Sequence, residues 1–94
     1  MPGPAKPPVP VKVRDEVAGG VYANSMMVSH SREEFVMDFF YLSPNLEVLN
    51  ARVITSPGHL KRIIKALSEN LRRYEDAHGE IREAPEPKRD KTLN

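Results

Sequence analysis

The sequence predicts an α+β fold in which a three-stranded antiparallel sheet is followed by one long amphipathic helix (βββα). Residues 22–55 hold three runs rich in β-branched, aromatic and methionine side chains, and apolar residues recur at helical spacing over residues 60–74. The linkers SREE and SPNL between the runs are too short for parallel crossovers, so the strands are expected to pair as antiparallel hairpins. These elements make a two-layer unit.

The three strands are predicted over residues 22–31, 34–42 and 47–55. The second, EFVMDFFYL, is the most hydrophobic run of the chain, and the turn sequence SPN follows it. Asn24 belongs to a residue type that is disfavoured in strands, which suggests that its side chain hydrogen-bonds a neighbouring strand or subunit.

A long helix is predicted to begin at Pro57 and to end before Gly79. Ser56 can cap the free amide groups, Pro57 suits the first helical position, and Gly79 suits a left-handed end. The helical spacing produces one apolar stripe, which we expect to be core: Leu60, Ile63, Ile64, Leu67, Leu71 and Tyr74.

The chain divides into three predicted segments. Residues 1–20 are a flexible arm rich in proline and glycine, residues 21–81 form the single βββα domain, and residues 82–94 are a disordered charged tail. A folding unit of about sixty residues has a marginal core. We therefore expect a symmetric homo-oligomer, a dimer or larger, that assembles through the sheet.

Composition limits the class of protein. The net charge is +1, so there is no global basic field, and the chain contains no cysteine for disulfides or thiolate metal sites. No apolar run approaches the roughly 18 residues of a membrane span, and prolines interrupt the amino terminus where a signal peptide needs an apolar core. We predict a soluble cytoplasmic protein that uses no cofactor and contacts no membrane.

Alternation divides the side chains of each strand between two sheet faces. The face that we expect the helix to cover holds eight residues: Phe35, Met37, Phe39, Tyr41, Leu49, Ala51, Val53 and Thr55. A tight turn would place four residues of the second strand directly opposite four of the third: Val36 opposite Ile54, Asp38 opposite Arg52, Phe40 opposite Asn50, and Leu42 opposite Val48.

The other face is predicted to bind a partner, because one helix covers only one face of a sheet. Its apolar members are expected to form the subunit interface: Val36, Phe40, Leu42, Val48 and Ile54. An unpaired carboxylate would be costly in this layer, so Asp38 is predicted to pair with Arg52 and to fix the orientation of the partner.

Several short motifs match a family pattern. They are Tyr22 with Asn24, Ser29-His30, Glu34-Phe35, Asp38-Phe39, Ser56-Pro57, Tyr74-Glu75 and His78-Gly79-Glu80-Ile81. On these residues the chain resembles a prokaryotic family known as domain of unknown function 3467. The resemblance covers nearly all of the predicted domain and neither end, and it implies no activity. The order of strands and helix is also similar, in topology alone, to the export chaperone SecB.

The sequence predicts neither a catalytic nor a metal site. Ser29 and His30 would point to opposite faces of a strand, so they could not act together as nucleophile and base. His30, Glu34 and Asp38 share no recognised metal-ligand spacing.

Two parts of the helix are candidate binding sites. Its free amide groups could bind an anion beside Ser56, Gly58 and His59, although a plain helix cap is the preferred interpretation. Its basic residues could contact nucleic-acid phosphates, although a solvated face is preferred: Lys61, Arg62, Lys65, Arg72 and Arg73.

Two functions from different classes follow. The first is a non-enzymatic, homo-oligomeric binding or adaptor protein, with chaperone-like binding of unidentified protein clients as its extension. The alternative is a small nucleic-acid-binding or regulatory protein that uses the basic helix face and the tails. Salt-dependent binding to DNA or RNA would favour the alternative.

Overall fold

The computed structural model describes residues 8–87, which form a three-stranded sheet and a long helix. In chain order the elements are α1 (Asp15–Ala18), β1 (Ser25–His30), β2 (Phe35–Ser43), β3 (Leu46–Thr55) and α2 (Pro57–His78). The strands lie in the order β1-β2-β3, and each neighbouring pair is antiparallel. The predicted βββα fold is therefore confirmed. Parts of the predicted arm (residues 1–7) and of the predicted tail (residues 88–94) lie outside the described range.

One helical turn, α1, lies within the segment that the sequence predicts to be a flexible arm. The amides of Val17 and Ala18 donate to the carbonyl of Arg14 at 3.0 and 3.1 Å. Asp15 and Glu16 stand in the first turn, where carboxylates interact favourably with free amide groups. A turn of four residues is too short to produce an apolar period, so sequence periodicity misses it. The division of the chain into three segments stays a prediction.

Short turns join the three strands. Between β1 and β2, the Ser31 amide donates to the Glu34 carbonyl at 2.9 Å, and the Ser31 hydroxyl accepts from the amides of Glu33 and Glu34. Between β2 and β3, the Ser43 hydroxyl donates to the Leu46 carbonyl at 3.2 Å. These local bonds satisfy backbone groups at both hairpin ends and make the antiparallel pairing possible.

A β-bulge in β3 interrupts the register with β2. Asp38 lies opposite Arg52 and Val36 opposite Ile54, as predicted. The register then shifts, so that Phe40 lies opposite Leu49 and Leu42 opposite Glu47, and the predicted pairs of Phe40 with Asn50 and of Leu42 with Val48 are wrong. Asn50 is the extra residue of the bulge, and its side chain donates to the Tyr22 carbonyl at 2.7 Å.

Both ends of α2 lie where their sequence signals predict, although Gly79, with φ 95° and ψ 166°, does not adopt the left-handed helical conformation expected of it. The Ser56 hydroxyl accepts from the His59 amide at 3.2 Å, which caps the first turn, and Pro57 is the first helical residue. Gly79 has a φ of 95°, and its amide donates to the Glu75 carbonyl at 2.8 Å. Glu75 also accepts from the Ile81 amide through Oε2 at 2.8 Å, which holds the chain directly after the helix.

Very little of the described chain is buried. Met37 and Leu42 are its only buried apolar residues, with 7% and 6% of their surface exposed. None of the residues of α2 is buried, so the prediction that its apolar stripe is core is wrong for the isolated chain. The physical reason is that α2 leaves an open groove above the sheet rather than packing into it. Within residues 8–87, no helix is apolar over enough residues to cross a bilayer.

Candidate functional site

The face of the sheet turned away from α2, here called the outer face, is the candidate site. Alternation and the observed register place on it six apolar residues and one ion pair: Met27, Val36, Phe40, Leu42, Leu49, Ile54, and Asp38 with Arg52. Met27 and Ile54 are more than half exposed, whereas Val36 and Phe40 are half-buried by their neighbours. The outer face is therefore an apolar surface with one charged pair near its middle.

The charged pair is bidentate. Arg52 donates from Nε to Asp38 Oδ1 at 2.7 Å and from Nη2 to Asp38 Oδ2 at 3.0 Å, so both oxygens and two of the three guanidinium nitrogens are used. The Asp38 side chain is 18% exposed and that of Arg52 is 56% exposed. The predicted pair is confirmed, and its two hydrogen bonds do not use Arg52 Nη1.

The pair changes the acidity of both members. The hydrogen bonds from Arg52, aided by its charge, hold the pKa of Asp38 below its usual value, and partial desolvation opposes them only in part. The hydrogen bond to Asp38 raises the pKa of Arg52 in the same way. Asp38 is therefore ionised at neutral pH, which answers how a carboxylate is tolerated in the most hydrophobic run of the chain.

The bulge changes the membership of the outer face. Val48 lies opposite Tyr41 and so belongs to the inner face, which corrects its prediction as an interface residue. Leu49 lies opposite Phe40 and joins the outer face instead of the helix face. A bulge reverses the alternation of every residue beyond it, and no turn signal in the sequence announces one at Asn50. Met27, which lies opposite Asp38, could have been found by extending the same alternation to β1.

Asn24 extends the pairing of β1 with β2 through its side chain. Its Nδ2 donates to the Leu42 carbonyl and its Oδ1 accepts from the Leu42 amide, both at 2.9 Å. The predicted hydrogen bond to a neighbouring strand is confirmed. The side-chain amide thus takes the place of a peptide group at the end of the ladder, beside a Leu42 that is already buried within the chain and adds little to a partner surface.

The opposite, inner face of the sheet forms an open apolar groove with the first half of α2. The groove has a volume of about 790 Å³. Met26, Val28, Met37, Phe39 and Val53 line it from the sheet, and Leu60, Ile63, Ile64 and Leu67 line it from α2. The face that the helix covers is therefore the predicted one, but the cover is incomplete.

The two sites predicted on α2 lie apart from the outer face. At the helix start, the His59 amide is already taken by the Ser56 hydroxyl, and nothing lies within 4 Å of a side chain built at Gly58. The basic residues are all exposed along α2: Lys61, Arg62, Lys65, Arg72 and Arg73. Neither arrangement goes beyond a capped, solvated helix.

The residue types that could serve catalysis are not brought together. Ser29 lies opposite Val36 and therefore on the outer face, whereas His30 lies opposite Phe35 on the inner face, where the two rings are 5.2 Å apart. Within residues 8–87, no three histidine, aspartate or glutamate side chains are grouped as metal ligands would be.

The fold and the outer face define a small two-layer α+β protein with an open, apolar sheet. The chain belongs to the family described as Protein of unknown function (DUF3467), which matches residues 2–83. The match includes the amino-terminal arm, so the expectation that the resemblance stops short of both ends is wrong for residues 2–20. No curated protein and no solved structure matches the chain.

Proposed function

We propose that this chain is a non-enzymatic, homo-oligomeric binding or adaptor protein of the cytoplasm, and that the outer face is the surface with which it binds protein. The observation that carries the proposal is the lack of a closed core. Met37 and Leu42 alone are buried among the described apolar residues, while large apolar side chains on both sheet faces remain in contact with water. Soluble monomers rarely leave such surfaces open.

A second copy of the chain is the first occupant proposed for the outer face. Charge complementarity supports it, because the Asp38–Arg52 pair is itself a dipole in the middle of the face. When two such faces meet antiparallel about a two-fold axis, each Arg52 approaches the carboxylate of the other copy with its remaining nitrogen. The pair then sets the orientation of the two copies, while the surrounding apolar residues supply the binding energy.

A chaperone-like role uses the same surface. An apolar segment of a protein client would cover Met27, Leu49 and Ile54 as a second copy does, and would compete with it. Client binding is therefore expected to lower the mass of the assembly. The topological likeness to SecB supports this role only by analogy.

Nucleic-acid binding is the second candidate function. It is supported by the exposure of Lys61, Arg62 and Lys65 on two successive turns of α2, with Arg72 and Arg73 further along. Glu69 and Asp76 share the same helix and weaken the positive field. If this candidate is right, the affinity for a DNA or RNA duplex falls steeply as the salt concentration rises.

Replacing Ile54 by lysine tests the outer face. Ile54 is 54% exposed and lies beside Val36, so a charge there would be buried without a partner in the assembly but would remain solvated in a free chain. We expect Ile54→Lys to lower the sedimentation mass at micromolar concentration while the circular dichroism spectrum is kept. Val17→Lys, the same kind of change at a similarly exposed residue of α1, is the matched control. Equal masses for the two variants would contradict the proposal.

A further inference from the structure

The long helix carries a second pattern inside its apolar stripe. Six residues follow one another at alternating steps of four and three: Leu60, Ile64, Leu67, Leu71, Tyr74 and His78. This alternation repeats every seven residues, as in the seam of a coiled coil, in which two helices pack side by side. We call these six residues the α2 seam. Ile63 stands next to the seam and is turned further toward the sheet, where it is half-buried.

The α2 seam is open to water along most of its length. Ile64, Leu67, Leu71 and Tyr74 have 55%, 66%, 49% and 52% of their surface exposed. Ile64 and Leu67 lie at the groove between α2 and the sheet, whereas Leu71 and Tyr74 lie beyond its lining. The sheet of the same chain therefore cannot cover the second half of the seam.

Charge selects the direction in which a second helix would lie on the seam. In an antiparallel pair centred between Leu67 and the partner subunit's Leu71, Ile64 meets the partner subunit's Tyr74. The flanking positions then place Lys61 beside the partner subunit's Glu75, and the two-fold axis repeats this pair. In a parallel pair in register, the flanking residues include no opposite charges: Ile63 with the partner subunit's Ser68, and Asn70 with the partner subunit's Glu75.

We infer that α2 is a self-association helix, and that the partner of its seam is α2 of a second copy in antiparallel orientation. The second helix lies along the mouth of the groove, where it also covers Met26 and Val28 of the inner sheet face. This inference shares with the proposed function only the premise that the chain self-associates, because it uses the face of the molecule opposite to the Asp38–Arg52 pair.

A charge exchange tests the antiparallel pair. Lys61→Glu places like charges together twice in the dimer, so its dissociation constant should rise roughly tenfold. The double variant Lys61→Glu with Glu75→Lys restores opposite charges but also removes the Glu75 bond to the Ile81 amide. It is therefore compared with Glu75→Lys alone as well, and we expect the double variant to bind more tightly than either single variant. Lys65→Glu makes the same change of charge on the side of α2 away from the seam and should leave the dissociation constant unchanged. Dissociation constants come from sedimentation equilibrium, and circular dichroism verifies that each variant folds.

A cross-linking experiment gives an independent measurement. The natural chain contains no cysteine, so a single introduced thiol is the only one present. Ser68 lies beside the two-fold axis of the antiparallel pair, and Ser68→Cys is expected to form a disulfide-linked dimer under mild oxidation. Glu69→Cys, one residue along and on the outward side of the helix, should form it much more slowly.

The outcomes separate this inference from the proposed function. Loss of affinity in Lys61→Glu with recovery in the double variant supports the seam, whatever Ile54→Lys does. An assembly that is disrupted by Ile54→Lys but unaffected by Lys61→Glu, with equal cross-linking of the two cysteine variants, would overturn the seam and keep the outer face. A chain that is monomeric throughout would overturn both. Binding of an unrelated protein by the seam without self-association would also overturn the inference.

Discussion

Asp38 lies in the middle of a hydrophobic strand because Arg52 binds both of its carboxylate oxygens. The register assumed from the sequence gives this contact even though the bulge lies between the pair and the turn after β2. The pairs next to the turn are shifted by one residue from the predicted ones, and the extra residue Asn50 restores the predicted register at Asp38. The role of the pair in orienting a second copy stays a prediction. Its contribution to the stability of the fold can be measured directly through its dependence on pH.

Stability is expected to fall in acid because the pKa of Asp38 is lower in the folded chain than in the unfolded one. The stabilisation by Asp38 is complete at pH values above the pKa of aspartate in the unfolded chain, which is about 3.9. It is lost as the pH falls through the lower pKa that Asp38 has in the folded chain. Arg52→Ala removes the cause, so its stability should fall less steeply as the pH drops below about 4, and the remaining decline comes from the other carboxylates.

Thermal unfolding across this pH range measures the effect. Arg52→Ala is expected to lower the melting temperature at pH 7 and to weaken the assembly, and Arg52→Lys, which keeps a charge but not the bidentate geometry, should fall between it and the natural chain. If the melting temperature falls equally with decreasing pH in the natural chain and in Arg52→Ala, the pair contributes nothing to stability.

Asn24 is the residue whose side chain has the most specific structural role. Replacing it by alanine leaves the Leu42 amide and carbonyl without partners in a partly buried position, so the free energy of unfolding should fall by about 1–3 kcal/mol. Urea unfolding at one fixed protein concentration measures it. Asn70→Ala, which removes a single exposed bond to the Ala66 carbonyl within α2, should be nearly neutral.

Asn24→Asp separates the two hydrogen bonds. A carboxylate can accept from the Leu42 amide but cannot donate to the Leu42 carbonyl, so the variant should be unstable at neutral pH and should recover part of the loss when it is protonated. Equal loss at both pH values would mean that the bond to the carbonyl is unimportant.

Among the elements, the ends of α2 are predicted well because short sequence signals determine them. The Ser56 cap, Pro57 and Gly79 each act within one helical turn, and α2 begins and ends where they indicate. The bulge at Asn50 depends on backbone pairing between β2 and β3, and α1 is only four residues long. Neither feature produces a hydrophobic period in the sequence. Because the bulge at Asn50 was not predicted, the sequence assigned Val48 and Leu49 to the wrong faces of the sheet.

The end of α2 should depend strongly on glycine. Gly79 has φ 95° and ψ 166°, a conformation that is essentially reserved for glycine, so Gly79→Ala should cost about 1–3 kcal/mol. Gly58→Ala lies in the first turn of α2 with open space around it, and should be neutral or slightly stabilising. Chemical unfolding of the two variants provides the comparison. Equal stability would show that the end of α2 is frayed in solution.

For the molecule as a whole, hydrophobic periodicity predicts which residues form the apolar face of a helix, but it does not predict what covers that face. The stripe of α2 has the pattern of a core helix, yet Leu67 and Tyr74 are more than half exposed. Periodicity measures amphipathicity, and the partner that an amphipathic face meets can be the same chain or another copy. The expectation of a homo-oligomer, drawn from the small size of the folding unit, agrees with this exposure and stays a prediction.

The solution mass of the natural chain tests self-association most directly. Sedimentation equilibrium from low to high micromolar concentration should give a mass of at least two chains of 10.6 kDa, with cooperative thermal unfolding whose midpoint rises with protein concentration. A stably folded monomer of 10.6 kDa over the whole range, with a midpoint independent of concentration, would contradict self-association.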